Sequence, residues 1–414
     1  MSYSVFIRDH WRFLGFGFLF NLTSSFGQTF FVARFAGEIR AEFGLSHAGF
    51  GGLYSAATLA SAATLVWLGR KLDETDLRRY SAGVAAGLVV ACFAMAVVPH
   101  VLLLVPALYA IRLAGQGLMT HTAMSSMARY FEAQRGRAMS LASLGRPAGE
   151  AVLPAVIVPV IAAFGWRLTW AGIGAVLALS LGPLLAFLLR GHDERHRQHL
   201  EEQDDANKTD ANTDATGHPR RAWTRAQVIR DPHFHAKLPC VLATPFLLTG
   251  FFFHQIHLAD SKGWSQEWFA MCFSGYAVAT VVSSLFGGPL IDKFGSKRLL
   301  PYYLLPLATG LALLMTLDHP LVALAFLVLS GTSMGLAFIV LGGLWPEMYG
   351  VTHVGAIRSL TSSLMVLSTA IAPVAMGVLI DAGMSMETLA ALSIGYVAAS
   401  IAVVLVDRRF EARR

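Results

Sequence analysis

Apolar residues run through this chain in stretches of about 20, separated by short polar segments. Runs of that length suit helices crossing about 30 Å of hydrocarbon. They fall near residues 13–35, 47–68, 80–98, 101–127, 138–164 and 167–189, and again near 237–258, 266–288, 299–317, 320–344, 359–382 and 388–406. Strand-type alternation is absent, which excludes a β-barrel. Gly and Pro within the runs suit membrane helices, whose neighbours re-satisfy freed backbone groups. The first run, from Phe13 to about Ala33, exceeds a signal-peptide core of about 7–15 residues and reads as a retained span. The pattern predicts an all-α polytopic membrane protein: twelve transmembrane helices as two pseudo-symmetric six-helix bundles.

One long polar stretch divides the two groups. Residues 191–236 carry nine of the 26 acidic residues and almost no apolar ones, as a solvated linker would. The organisation expected is a six-helix bundle over 1–190, a cytoplasmic linker over 191–236 and a second bundle over 237–414. His192, His196 and His199 in the linker lack a visible ordered scaffold to hold a metal.

Charge sharpens this picture. Only 14% of the 414 residues are charged and mean hydropathy is +0.55, against about 25% charged in soluble domains. With the N-terminus inside, cytoplasmic segments hold 26 of the 32 Lys and Arg, while Arg34, Arg40, Arg167 and Lys262 fall on the other face. The positive-inside rule then places both termini in the cytoplasm, in a bacterial inner membrane. The net charge of +6 is thereby a matter of topology, not of nucleic-acid binding. Cys92, Cys240 and Cys272 lie in apolar runs and suggest neither a disulfide nor a metal site.

The halves align at an offset of 219 residues. Eight of 36 positions match over 44–79, among them Gly44/Gly263, Ser46/Ser265, Phe50/Phe269 and Asp73/Asp292; seven of 25 match over 130–154. Two halves in the same topology make the parallel repeat of alternating-access transporters.

The repeated loops also carry a resemblance. Residues 288–298, Gly288-Pro-Leu-Ile-Asp292-Lys293-Phe-Gly295-Ser-Lys297-Arg298, resemble the G-x-L-x-D-K/R-x-G-R-K/R signature of the major facilitator superfamily. The loop after span 2 keeps Gly69, Asp73, Arg78 and Arg79 but has Glu74 where a base is expected. Arg112-Leu-Ala-Gly115-Gln116-Gly117 is similar to the superfamily's fourth-helix motif. Within it, Arg129-Tyr130-Phe131, Arg135-Gly136-Arg137-Ala138-Met139, Gly145 and Gly165-Trp166-Arg167 look most like the monocarboxylate and oxalate/formate transporters. The resemblance implies that Asp73, Arg79, Asp292, Lys293 and Arg298 latch the cytoplasmic gate. Physically, a carboxylate at a helix end can cap a neighbouring N-terminus or pair with a base; a plain solvated turn is the alternative.

Charges without a counterpart in the repeat are the better functional candidates. Arg112, Arg146 and Glu150 fall near mid-membrane, while their offset partners are Gly331, Met365 and Thr369. Each such charge costs about 2.5–3.5 kcal/mol on insertion scales. Arg146 and Glu150, spaced i,i+4, can pair; the net central charge of +1 suits a small organic anion, whose carboxylate a guanidinium matches with two hydrogen bonds. Asn21, Ser24, Ser25 and Gln28 form a polar stripe in span 1, and Gln116 shares a face with Arg112. The substrate-binding set expected is Arg112, Arg146, Asn21, Gln28 and Gln116. Glu150, with His254 and His257 near the outer end of span 7, is the candidate for proton coupling. Two structural alternatives stand beside this: a self-compensating Arg146–Glu150 pair, and an Arg112 bonded to carbonyls of a neighbouring helix. Arg34 and Glu38 read as an outer-surface ion pair.

The function expected is a monomeric secondary transporter of a small organic anion, coupled to protons, with the lipid bilayer as its other partner and no cofactor, metal or nucleic acid. Monocarboxylate and oxalate carriers, as the resemblance implies, use cations in spans 8 and 11. Here span 8 has none and span 11 only Arg358 at its end. A proton-antiport exporter of drugs or metabolites is the alternative, against which two central arginines argue. No nucleophile–base pair, phosphate loop or catalytic motif points to an enzyme.

Overall fold

The computed structural model describes residues 3–131, 134–192, 194–195, 197, 223–350 and 354–411. These residues are almost wholly helical and contain no strand. Nine helices among them are long and apolar enough to cross a membrane. Twelve spans result because three more are hidden by irregular backbone. The run Arg135–Leu188 turns at Gly165, whose φ of +73° is open to glycine at little cost; it supplies α5 and α6. The first span is discontinuous, and the ninth holds a helix of only 12 residues.

In chain order the other spans are α1 (Tyr3–Thr23), α2 (His47–Glu74), α3 (Leu77–Ala96), α4 (Val101–Tyr130), α7 (Pro232–Phe253), α8 (Gln266–Phe294), α9 (Leu305–Thr316), α10 (Leu321–Tyr349), α11 (Val354–Asp381) and α12 (Met386–Glu411). Helices α1–α6 and α7–α12 form two six-helix bundles. Val66, Trp67, Leu102, Leu179 and Leu285 are each more than 60% exposed. So many bare large apolar side chains would be costly in water and are the expected lipid-facing surface here.

The repeated residues do repeated work. Ser46 accepts from Gly49 N at 3.0 Å to begin α2, and Ser265 accepts from Trp268 N at 3.1 Å to begin α8. Such N-caps satisfy donors a helix start leaves unpaired. Gly44 and Gly263, just before them, share a positive φ of 62° and 67°.

Among the described residues, the ion pairs that join one helix to another sit at helix ends. Glu42 accepts from Trp166 Nε1 at 2.7 Å and from Arg167, tying the far end of span 1 to the start of α6. Lys262, 7% exposed, lies 2.5 Å from Asp318 and 2.6 Å from Glu387. At the termini end, Lys237 and His233 both lie 2.6 Å from Asp407, joining α7 to α12.

The bundles meet along α2 against α11 and α5 against α8. The face opposite the termini is sealed: Asp381 of α11 accepts from His47 N at 3.0 Å and Ala48 N at 2.7 Å, capping α2 from the other bundle. Backbones also touch there, since a Cβ on Gly51 would lie 2.8 Å from Pro373 O.

Candidate transport site

The irregularity of span 1 has a local cause. Asn21 Nδ2, Thr23 Oγ1 and Ser24 Oγ bond to the carbonyls of Gly17, Leu19 and Asn21 at 3.1, 2.8 and 2.6 Å. Polar side chains that compete with the backbone in this way loosen a helix. After α1 the chain forms a tight turn, Ser24–Gly27, then an extended Gln28 (φ −79°, ψ 152°), and resumes as Thr29–Val32, Ala33–Phe35 and Ala36–Phe43. A break at this depth leaves carbonyls that need donors from elsewhere.

Arg112 supplies one. Its Nη1 donates to Gly27 O at 2.8 Å and its Nε to Thr58 Oγ1 at 3.1 Å, with the guanidinium 4.9 Å from the Tyr54 ring centre. Tyr54 is held in turn by Thr29 at 2.8 Å. Arg112 also opens a π-helical turn, Arg112–Met119, in which Gly115 meets the break so closely that a Cβ would lie 2.7 Å from Gly27 Cα. The side chain is 2% exposed. It is bound into the wall of the first bundle, in the manner of the second of the two structural alternatives.

Arg146 and Glu150 lie on the other side of the same turn. Ser25 packs against Gly149, while Gly27 packs against Gly115. Arg146 Nε lies 3.0 Å from Glu150 Oε1, so the i,i+4 pair forms. It stands where the bundles meet: the guanidinium is 5.8 Å from the Phe338 ring centre of α10, Tyr276 of α8 interacts with it, and one turn on Ser274 donates to Ala151 O at 2.7 Å. The Arg146 side chain keeps 28% exposure; Glu150 is buried, and its Oε2 has no hydrogen-bond partner among the described residues. The three mid-membrane charges therefore do not share one cluster. The break in span 1 separates Arg112 from the pair.

Of the other expected residues, Asn21 is buried against α4 and α5, its amide near Met124 Sδ at 3.7 Å. Gln28 and Gln116 flank the break, half-buried, with side-chain amides that make no hydrogen bond among the described residues. His254 and His257 lie in the sealed face. His254 Nε2 is 2.9 Å from Pro373 O, and His47, which sequence reasoning missed, lies against both, tilted to His254 with ring centres 5.4 Å apart and edge-on to His257 at 4.7 Å. His47 begins α2 and looks like a plain helix-start residue until the bundles close. Tyr276 was equally hidden, being one aromatic in an apolar run.

The gate residues are dispersed. Asp292, Lys293 and Arg298 are exposed and form no ion pair among the described residues. The carboxylate that bridges helices there is Glu347 of α10, which accepts from Ser296 N at 2.6 Å. Arg79 is exposed, and its backbone N–H is capped by Asp76 at 3.1 Å. The Asp73 side chain, His196, His199 and most of the linker lie outside the described residues. His192 is buried against Phe13 and Tyr130.

The expected Arg34–Glu38 surface pair does not form. Glu38 Oε2 instead accepts from Trp166 N at 2.8 Å, and Arg34 is 4% exposed, turned towards α8. The spacing rule that predicts the pair assumes one continuous helix, and the chain changes from a tight turn to an α-helix between the two residues.

The sequence profile of the Major Facilitator Superfamily matches residues 14–256 and again 240–414. The chain belongs to the major facilitator superfamily. Two solved structures of that architecture are similar to it. One is a bacterial homolog to the human lysosomal transporter Spinster, in an inward-facing and occupied conformation: TM-score 0.65, 14% identity, covering 99% of this chain and 97% of that one. The other is a mutant of the nucleoside transporter NupG: TM-score 0.67, 14% identity, covering 96% and 99%. No curated protein matches. The chain is thus an integral membrane transporter of the superfamily and not an enzyme, and at this identity the neighbours speak for the fold alone.

Proposed function

We propose that this major facilitator protein is a secondary transporter that couples a small organic anion, a monocarboxylate in the simplest case, to a proton. The observation that carries the reading is the Arg146–Glu150 pair at the meeting of α5 and α8. Arg146 is partly accessible, and its one carboxylate partner has a second oxygen left unbonded. Protonating Glu150 frees the Arg146 guanidinium, which a substrate carboxylate then takes by the same charge-assisted hydrogen bonds. Charge in the site is unchanged by that exchange, so one anion would move with one proton. Gln28 and Gln116, whose amides make no hydrogen bond among the described residues, are the candidates to orient the rest of the molecule. Arg112 enters as the residue that fixes the broken turn between the two sides.

The positive-inside distribution supports cytoplasmic termini in a bacterial inner membrane. In that orientation the seal at His47 and Asp381 is the outer gate. Separation of Asp292, Lys293 and Arg298 suits a cytoplasmic latch that is undone in this state and re-forms when the bundles rock.

Uptake of labelled small carboxylates into proteoliposomes, driven by an inward proton gradient, tests the reading. Accumulation should require Arg146, and Glu150→Gln should abolish pH-driven accumulation while leaving anion exchange. Uptake indifferent to pH, or unchanged in a folded Arg146→Ala, would overturn it.

A further inference from the structure

Arg34 sits in the seam between the bundles, on the turn Ala33–Phe35. Its guanidinium carbon lies 5.6 and 5.1 Å from the ring centres of Phe269 and Phe273, one turn apart on α8. The residue is 4% exposed, and Nε, Nη1 and Nη2 are all buried with no hydrogen-bond partner among the described residues. Two aromatic faces attract a cation but leave its five N–H donors unmet. Its titratable neighbour Cys272 offers only a weak acceptor. The nearest acids in sequence, Glu38 and Glu42, are committed to Trp166 and Arg167, and Asp381 to the start of α2. The other cations of this face are committed too: Arg40 to Leu45 O, Arg167 to Glu42, and Lys262 to Asp318 and Glu387.

The internal repeat shows that packing does not require a charge here. At the offset of 219, Arg34 corresponds to Phe253, while Phe269 and Phe273 correspond to Phe50 and Tyr54. Phe253 does pack on both, stacked on Phe50 and tilted to Tyr54, with ring centres 5.3 and 4.8 Å away. The same pocket is thus built twice, filled once by a phenyl ring and once by a guanidinium with no partner.

We infer that Arg34 is an anion-binding residue of the seam, accepting a small monovalent anion, either a halide or the carboxylate of a transported solute, as the bundles part on the face opposite the termini. Separation withdraws the guanidinium from Phe269 and Phe273 and presents its donors to that side, where the other basic residues already have partners. The inference goes beyond the role given to Arg146 and Glu150 and does not rest on it.

Thermal unfolding of the full-length protein in detergent, titrated separately with chloride and with acetate in a gluconate background, tests it. A saturable rise in Tm is expected with at least one of them. A response to acetate alone identifies a solute carboxylate as the ligand; a response to chloride that acetate competes away identifies a general site for small anions. Arg34→Phe, which copies the Phe253 arrangement, should remain folded and weaken the apparent affinity by more than about 30-fold, and Arg34→Lys should retain part of it. No saturable response to either anion, or an unchanged response in folded Arg34→Phe or Arg34→Met, would overturn the assignment. Arg146→Ala should leave the Arg34 response intact, so loss of carboxylate uptake in that variant bears on the other site alone.

Discussion

Arg112 Nη1 donates to the carbonyl of Gly27 across 2.8 Å, joining the π-helical turn of α4 to the broken turn after α1. The contact explains how a charge is tolerated at this depth: the break provides an acceptor, and the arginine satisfies a carbonyl that no helix does. Arg112→Ala should remove both this bond and the one to Thr58 and leave Gly27 O unmet. A loss of about 2–4 kcal/mol is expected, read as a lower Tm in detergent. Arg112→Lys should recover part of it, and an unchanged Tm in Arg112→Ala would show that the anchor is not structural.

Gly115 should be intolerant of even one methyl group. A Cβ there would meet Gly27 Cα and N at 2.7 Å, backbone atoms that cannot rotate away. Gly115→Ala is expected to cost about 1–3 kcal/mol through overpacking. Gly172→Ala, with nothing within 4 Å, is the matched control and should be neutral or slightly stabilising. Equal melting temperatures for the two variants would contradict the close approach.

The Lys237–Asp407 contact offers a sharper test of buried charge. Lys237 is 1% exposed, and Asp407 is shared with His233. Asp407→Asn should destabilise by up to about 3–5 kcal/mol, because it takes the Asp407 carboxylate away from a buried ammonium. The double variant Lys237→Met/Asp407→Leu should be considerably more stable than Asp407→Asn. A double-mutant cycle on melting temperature measures the coupling.

Acid should loosen the junction between span 1 and α6. The hydrogen bond from Arg167 holds the Glu42 carboxyl below the usual carboxylate range, with Trp166 adding to the effect and burial opposing it. A lowered pKa in the folded state means the contribution is fully present above the unfolded value and is lost as pH falls through the folded one. Glu42 is partly exposed, so the effect is at most about 1 kcal/mol. Wild type should melt higher than Glu42→Gln at neutral pH, and the gap should narrow as the pH falls below about 4. A gap that does not narrow on acidification would place the effect in packing instead.

Span 5 shows what local reading can do. The Arg146–Glu150 pair was legible because both residues sit on one uninterrupted helix, where i and i+4 must be neighbours. The same rule fails for Arg34 and Glu38 because the chain changes helix type between them. Asn21, Ser24 and Ser25 announced a polar stripe. That Asn21 and Ser24 loosen the helix by bonding their own backbone, while Ser25 packs against Gly149, depends on the turn that forms there.

By itself the sequence determined the number of spans, the parallel repeat and the basic loops. Hydrocarbon imposes those locally, since each crossing must be long, apolar and internally bonded. Which charges face each other was decided only by the tertiary structure. Gly27 and Arg112 are 85 residues apart, and Arg34 meets Phe269 and Phe273 of the other bundle. Such partners follow from where helices break and how two bundles close, and no pattern within one span encodes either.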